Sequence, residues 1–385
     1  MRTPVTSKRV TRAAAACLLG LGLPAHAQQP HTIPLPPPDA TLSEELARVI
    51  SVRELPDGRV LITDNKENRL VIGDFRKNVT ATIGRSGKGP GEYTSMGRLW
   101  PIGGDTTFMS EPYLSRWHTV VGDKIVKTQS DVPALRALPT PIVLGVNARR
   151  EVFGRAFPRN AKGQLSMADS SAMVRIGWNG APHDTIGYLS PQRMNASSTP
   201  VAAAASGGVS VGKRTFMISI KATDQLVVFP DGALAIVRGD PYRVDWCTAP
   251  KRCVNGPALS SAQPTMSGKD RDAYRIALVR AVRTFATEGD LMEGWPSTIP
   301  PFHTPGGPDD ASVWPTGNGK IVIERVPTAA SPTYTYDVID RQGKRTATVS
   351  VPLGEFIIGF GAKSVYTLKT DESGVQRVQR HVWRY

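Results

Sequence analysis

Short apolar runs return along this chain at one spacing, and that spacing limits the folds open to it. Pro56-Asp57-Gly58 is a turn, followed by the apolar run Arg59-Val60-Leu61-Ile62-Thr63. Two further runs follow, Asn68 to Phe75 and Val79 to Gly84, parted by Arg76-Lys77-Asn78. A shift of 47 residues then carries Asp64 to Glu111, Arg69 to Arg116 and Leu61-Ile62 to Phe108-Met109. The pattern reopens at Pro230-Asp231-Gly232 and at Asn318-Gly319, and ends in Ser364 to Leu368, the turn Asp371 to Gly374, and Val375 to Val382. A period of about 40–50 residues made of short antiparallel strands is the mark of propeller blades. A β-sandwich also has short strands and turns, but it does not explain the offset.

Units near residues 48, 97, 141, 216, 298 and 353 give six blades. The expected fold is all-β, a six-bladed β-propeller over residues 42–385. The third unit is interrupted by the polar and small stretches Asn160 to Ala172 and Asn195 to Gly212. With 36 glycines and 32 prolines in 385 residues, a compact helical bundle is excluded. Residues 28–41 hold five prolines and read as an extended leader. Thr41 to Val52 is expected to supply the strand that closes the last blade. One helical insertion is expected over about 267–288. Ser267-Gly268-Lys269-Asp270 resembles a capping box, and Tyr274, Leu278, Ala281, Val282 and Phe285 follow at helical spacing. It reads as packing on the propeller side.

The first residues read as an address. Arg2, Lys8, Arg9 and Arg12 precede the apolar run Ala13 to Leu23 and the site Pro24-Ala25-His26-Ala27. That order is a signal peptide over 1–27, cleaved near Ala27, and implies a periplasmic or secreted protein. Cys17 falls inside the removed run. The full chain carries 47 Lys and Arg against 33 Asp and Glu, a net +14, which cleavage lowers to +10. That charge is dispersed, with no basic helix, so nucleic acid is not an expected partner. No other apolar stretch is long enough to span a membrane. A monomer is expected. Cys247 and Cys253 flank a five-residue turn-like loop and, in an oxidising compartment, are expected to form a disulfide staple.

Asp64-Asn65-Lys66-Glu67-Asn68-Arg69-Leu70-Val71-Ile72 resembles the strand pair of an NHL-type repeat. The linker Ile83 to Tyr93 contains Arg85, Gly87, Gly89, Pro90, Gly91 and Glu92. It resembles the G-R-x-G-x-G-P-G-E-[FY] loop of exported bacterial six-bladed β-propeller proteins. The tail Tyr336 to Gly343, with Gly359-Phe360-Gly361 and Val365-Tyr366, looks like the same group. The resemblance covers roughly 42–385 and implies a fold rather than an activity.

Reaction chemistry is sparse. Gly87-Lys88 has Thr82 where a Walker loop needs its first glycine, and Gly89 where it needs Ser or Thr. The loop therefore reads as an inter-blade connection, clamped by an Arg85–Glu92 ion pair. His118, His183, His303 and His381 are scattered without metal-ligand spacing, and no G-x-S-x-G elbow is present. No catalytic residue, metal ligand or cofactor is assigned. The repeat does supply one constellation. The residues after the first apolar strand of each unit are Asp64, Glu111, Arg155, Arg238, Glu324 and Lys369. If the blades superpose, these six form a ring at a channel mouth, suited to an anionic or zwitterionic ligand. The expected function is a non-catalytic module binding a small ligand or a protein. The alternative is a channel-sited hydrolase or lyase of the calcium-dependent propeller type.

Overall fold

The structure is a computed structural model. It describes residues 32–111, 116–138, 142–163, 166, 169–191, 222–249, 252–261, 263–274, 296–302, 311–331 and 333–385. The signal segment 1–27 and the stretch Asn195 to Gly212 lie outside the described residues. Two strands come from the leader, β1 (Thr32–Pro34) and β2 (Ala40–Thr41). Blade 1 is β3 (Val49–Glu54), β4 (Val60–Asp64), β5 (Arg69–Asp74) and β6 (Val79–Ile83). A short parallel pair follows, β7 (Arg85–Ser86) and β8 (Glu92–Tyr93). Blade 2 is β9 (Leu99–Gly103), β10 (Thr106–Glu111), β11 (Arg116–Val121) and β12 (Lys124–Gln129), and helix α1 (Pro133–Ala137) leads onward. Blade 3 is β13 (Val143–Val146), β14 (Glu151–Ala156), β15 (Ser171–Gly177) and β16 (Pro182–Leu189). Blade 4 is β17 (Gln225–Val228), β18 (Leu234–Gly239), β19 (Tyr242–Ala249) and β20 (Arg252–Val254). Blade 5 is β21 (Val313–Pro315), β22 (Ile321–Glu324), β23 (Thr333–Ile339) and β24 (Arg345–Pro352). Blade 6 is β25 (Glu355–Phe360), β26 (Ser364–Thr370) and β27 (Gln376–Val382).

Within each blade the strands pair in chain order. The six first strands neighbour one another in the cycle β3, β9, β13, β17, β21, β25 and back to β3. Six antiparallel sheets around a common axis define a six-bladed β-propeller. Successive side chains on a strand point to opposite faces, and here each face meets a different blade. Val60, Ile62 and Val71 pack with Tyr366, Leu368 and Val378 of blade 6, whereas Leu61, Leu70 and Ile72 pack with Leu99, Met109 and Val120 of blade 2. The same alternation yields one apolar cluster between every pair of adjacent blades. This is why the central strands are apolar on both faces. Gly145 of β13 marks a close approach, since a Cβ there would strike Val228 of β17.

The leader is more than a tether. Ala40 and Thr41 pair with Arg380 and Gln379 as the outer strand of blade 6, and Leu46 bridges Gln376. The closing strand is thus Ala40–Thr41 with Leu46. Val49 to Val52, read from sequence as part of it, belong instead to the inner strand of blade 1. Thr32–Pro34 adds a fifth, parallel strand to blade 5. The fifth inner strand also differs from expectation. It begins at Val313, while Thr298 makes an isolated bridge with Thr265. A second helix, α1, joins the one expected insertion. Of that insertion, residues 268–274 are described and helical. Ser267 N donates to Asp270 Oδ2 at 3.0 Å and Asp270 N to Ser267 Oγ at 3.2 Å, so the two residues cap reciprocally.

Cys247 and Cys253 are disulfide-bonded across the β19–β20 hairpin, where they are paired residues. Closing so short a loop contributes about 2 kcal/mol on the chain-entropy estimate. The hairpins joining first and second strands in blades 1, 3, 4 and 5 share a form in which the fourth turn residue has positive φ. Gly58, Gly232 and Gly319 fill that place in blades 1, 4 and 5, but Arg150 fills it in blade 3 with φ 58°. A side chain in that region costs about 1 kcal/mol or more.

Leu42 is fully buried in the cluster between blades 6 and 1 and packs against Gly73. Leu42→Ala should lower the free energy of unfolding by about 3 kcal/mol, since a cavity forms where the ring closes. Denaturant unfolding of residues 28–385 checks this, and an unchanged midpoint contradicts it.

Candidate functional site

All second strands run the same way, so their last residues share one face of the disc. The six charges singled out in the sequence lie there, and the structure gives each its own local partners. Asp64 has no solvent exposure and accepts from the backbone N–H groups of Ala47 (3.0 Å) and Arg48 (2.9 Å), with Arg69 at 3.4 Å. It therefore grips the segment entering its own blade. Glu111 repeats the device. It accepts from Thr94 N at 2.8 Å and Oγ1 at 2.9 Å, and lies 2.6 Å from both Arg116 Nε and His118 Nε2. Arg155 donates to Ser171 Oγ (2.5 Å) and to Ser190 O (3.2 Å), with Phe157 below it. Arg238 spans Asp224 (2.7 Å) and Asp245 (2.8 Å). Glu324 is buried at the end of β22, and exposed Lys369 lies 3.5 Å from Glu355. None of the six is among the residues lining the central channel. The six lie one strand further out than the channel wall, and Asp64, Glu111, Arg155 and Arg238 are each locked to groups of neighbouring segments. A buried charge is tolerable only with such partners.

The glycine-rich linker is held in the same manner. Arg85 Nε lies 2.7 Å from Glu92 Oε1, and Glu92 Oε2 accepts from Gly89 N at 2.8 Å. Gly87 is packed so closely on the Glu92 side chain that a Cβ has no room. Arg116 donates to the carbonyls of Gly87, Lys88 and Glu92. Tyr93, fully buried, donates to Ile83 O and accepts from Leu70 N. Backbone carbonyls take up the cation Arg116, so the loop's polar groups are spent on joining blade 1 to blade 2.

The space on the axis is a cavity of about 430 Å³, within the range of small-molecule sites. It is walled by first strands, each an edge strand whose outer N–H and C=O groups are unpaired by any sheet. Arg53 and Glu54 at the end of β3 are the strand's charged pair. Arg53 is 7% exposed, donates to Gly104 O at 2.7 Å and to Thr107 Oγ1, and its Nε has no acceptor among the described residues. No carboxylate among the described residues forms an ion pair with it. Burial pulls its pKa down to about 10, so it stays cationic at neutral pH. Glu54 turns the other way, accepting from Tyr366 Oη at 2.5 Å and Ala362 N at 3.1 Å. Burial, then that bond to Glu54, push the Tyr366 phenol upward, so it remains a donor. Arg341 lies 4.4 Å from the ring of Phe229 and 4.7 Å from that of Trp246, with Asp231 at 3.4 Å. Arg98 lies 5.2 Å from the ring of Trp100, whose buried indole N–H has no acceptor among the described residues. Arg53, Arg98 and Arg341 escaped the sequence reading because it followed second strands. The available signal was a charged pair, Arg53-Glu54, ending an apolar run.

Among the described residues, no group of three or more His, Cys, Asp or Glu side chains is placed to hold a metal ion. No described helix is long and apolar enough to cross a membrane. No family model matches the chain, and no curated protein matches it either. Solved structures do. A Bacteroides fragilis protein thought to be exported is 11% identical, with 92% of this chain and 95% of that one covered and a TM-score of 0.49. A DUF4221 family member from Bacteroides vulgatus is 9% identical, with 92% and 96% covered and a TM-score of 0.47. Regucalcin of Agrobacterium tumefaciens, a calcium-binding protein, is 11% identical, with 92% and 97% covered and a TM-score of 0.40.

Glu111 yields a test of the locks. Burial alone would raise its pKa, but hydrogen bonds from His118, Arg116 and Thr94 overcome this and hold it at about 2, against 4.5 unperturbed. The folded state therefore refuses a proton that the unfolded state accepts below about pH 4.5. The lock's contribution is complete above that pH and fades as pH falls toward 2, and the shift corresponds to about 3 kcal/mol. Glu111→Gln should be less stable by about that amount at pH 7 in urea unfolding, with the gap to wild type narrowing between pH 4.5 and 2. A gap that does not vary with pH contradicts the lock.

Proposed function

We propose that this propeller is an exported, monomeric, non-catalytic binding module whose channel takes a small anionic ligand with an apolar body. The observation that carries the reading is Arg53, a buried cation in the channel wall with an unused Nε donor and no carboxylate partner among the described residues. A buried cation of this kind is stabilised when an anion completes its surroundings. Arg341 and Arg98 add guanidinium groups laid on aromatic rings, which favours a flat apolar body carrying a carboxylate. The two channel carboxylates are already engaged, Glu54 by Tyr366 and Ala362, and Asp231 by Arg341 and Ala233 N. They are poorly placed to serve as acid and base, which weighs against the hydrolase or lyase alternative. Export is supported by the signal-like first 27 residues and by the Cys247–Cys253 disulfide.

Calorimetric titration with 2-naphthoate tests the reading, with uncharged 2-naphthamide as control. Naphthoate should bind saturably, and both the amide and the Arg341→Gln variant should show affinity weaker by about tenfold or more, the scale of one charged hydrogen bond. Equal binding of acid and amide sinks the anion site. Binding that requires calcium, together with turnover of a lactone, favours the catalytic alternative.

A further inference from the structure

A second cavity opens at the side of the disc, between blades 2 and 3, with a volume of about 880 Å³. Its lining includes Lys127 of β12, Arg149 and Arg150 of the β13–β14 turn, and Trp178 and Asn179 of the β15–β16 turn. Lys127, Arg149 and Arg150 are exposed, and none of them has a carboxylate partner among the described residues. The lining's one acid, Glu151, is already held by Asn147 Nδ2 at 2.7 Å and by Arg175 at 3.4 Å. The groove therefore carries three uncompensated positive charges. Its floor is rigid: half-buried Trp178 stacks on Phe108 at 4.3 Å, and Trp117 meets Trp178 edge-on at 5.6 Å. The amides of Gln129 and Asn179 add neutral donors and acceptors to the lining.

One further observation singles out this turn. Arg150 has φ 58°, where the matching turns of blades 1, 4 and 5 place glycine. A strained residue kept at the rim of a cavity points to use rather than to stability. From these features we infer that the groove is a second binding site, and that its ligand is an acidic saccharide. The indole offers a flat apolar surface for the C–H face of a pyranose ring, and the amides suit its hydroxyls. The guanidinium groups suit its carboxylates through paired hydrogen bonds. An open groove of this volume suits an oligomer better than a single enclosed aromatic anion. The site shares no residue with the channel, and its test is independent of the channel reading.

The test is calorimetry of residues 28–385 with trigalacturonate, alongside its methyl ester, neutral cellotriose and inorganic tripolyphosphate. Trigalacturonate is expected to bind, with ester and cellotriose weaker by tenfold or more. Arg150→Gly relieves the positive φ, so it is expected to raise the thermal midpoint while weakening trigalacturonate by tenfold or more. Lys127→Gln should weaken it as well, and Arg341→Gln in the channel should leave it unchanged. Absence of trigalacturonate binding overturns the proposal. So does unaltered binding by Arg150→Gly, and so does tripolyphosphate binding as tightly as trigalacturonate, which would mark a general anion patch.

Discussion

Everything in this fold rests on the junction between the two ends of the chain. Six sheets form a ring only if the sixth is fastened to the first, and here short segments before blade 1 provide the fastening. Ala40–Thr41 extends blade 6, Leu46 bridges Gln376, and the Gln376 side chain accepts from Val49 N at 2.8 Å where blade 1 begins. Asp39 pairs with Arg380 at 2.9 Å and Glu45 with Arg377 at 2.5 Å. His381 bonds Pro36 O through Nδ1 at 2.7 Å, and burial holds its pKa low, so the neutral ring fits this position. With that junction made, each apolar cluster has a blade on both sides and no sheet is left with an exposed apolar face.

Charge is used conservatively inside the ring. The strand-end acids Asp64 and Glu111 do not line the channel cavity. They satisfy backbone N–H groups of the incoming segment and thereby fix where each inner strand starts. That placement frees the channel from their charge. What remains on the axis is a wall of strand edges, aromatic rings, the guanidinium groups of Arg53, Arg98 and Arg341, and the engaged carboxylates of Glu54 and Asp231. The polarity of the channel is thus set by the first strands, and its rigidity by the second.

The propeller was legible because its physical demands repeat. Each blade needs apolar residues on both faces of its middle strands, and blades 1 and 4 open those strands with a glycine-bearing turn, so Val60 to Ile62 and Ala233 to Val237 look alike. The capping box at Ser267 and the paired cysteines were legible because they are local. The start of blade 5 was not. Its inner strand is only Val313–Pro315, too short to show a pattern, while Thr298 to Phe302 has more apolar residues. The leader's pairing was hidden by its prolines, which fit a parallel edge strand as well as a free tether. The channel-lining arginines were not legible because repetition marks shared structural duty. Arg53, Arg98 and Arg341 have no counterparts at matching positions, and repetition does not mark what occurs once.

The fastening also orders events in time. Thr32–Pro34 and Ala40–Thr41 lie among the first ten described residues to be made, yet their partners, Thr348 to Ser350 and Gln379 to Arg380, are made among the last. Contacts this distant along the chain form slowly, because a long loop must close before they reward it. Until β27 has emerged, blade 6 lacks a body and blade 1 has no neighbour on one side. Synthesis alone therefore cannot complete the ring, whose final form waits for the chain's last strand. A polypeptide that cannot close early stays open along its length until its last strand is in place.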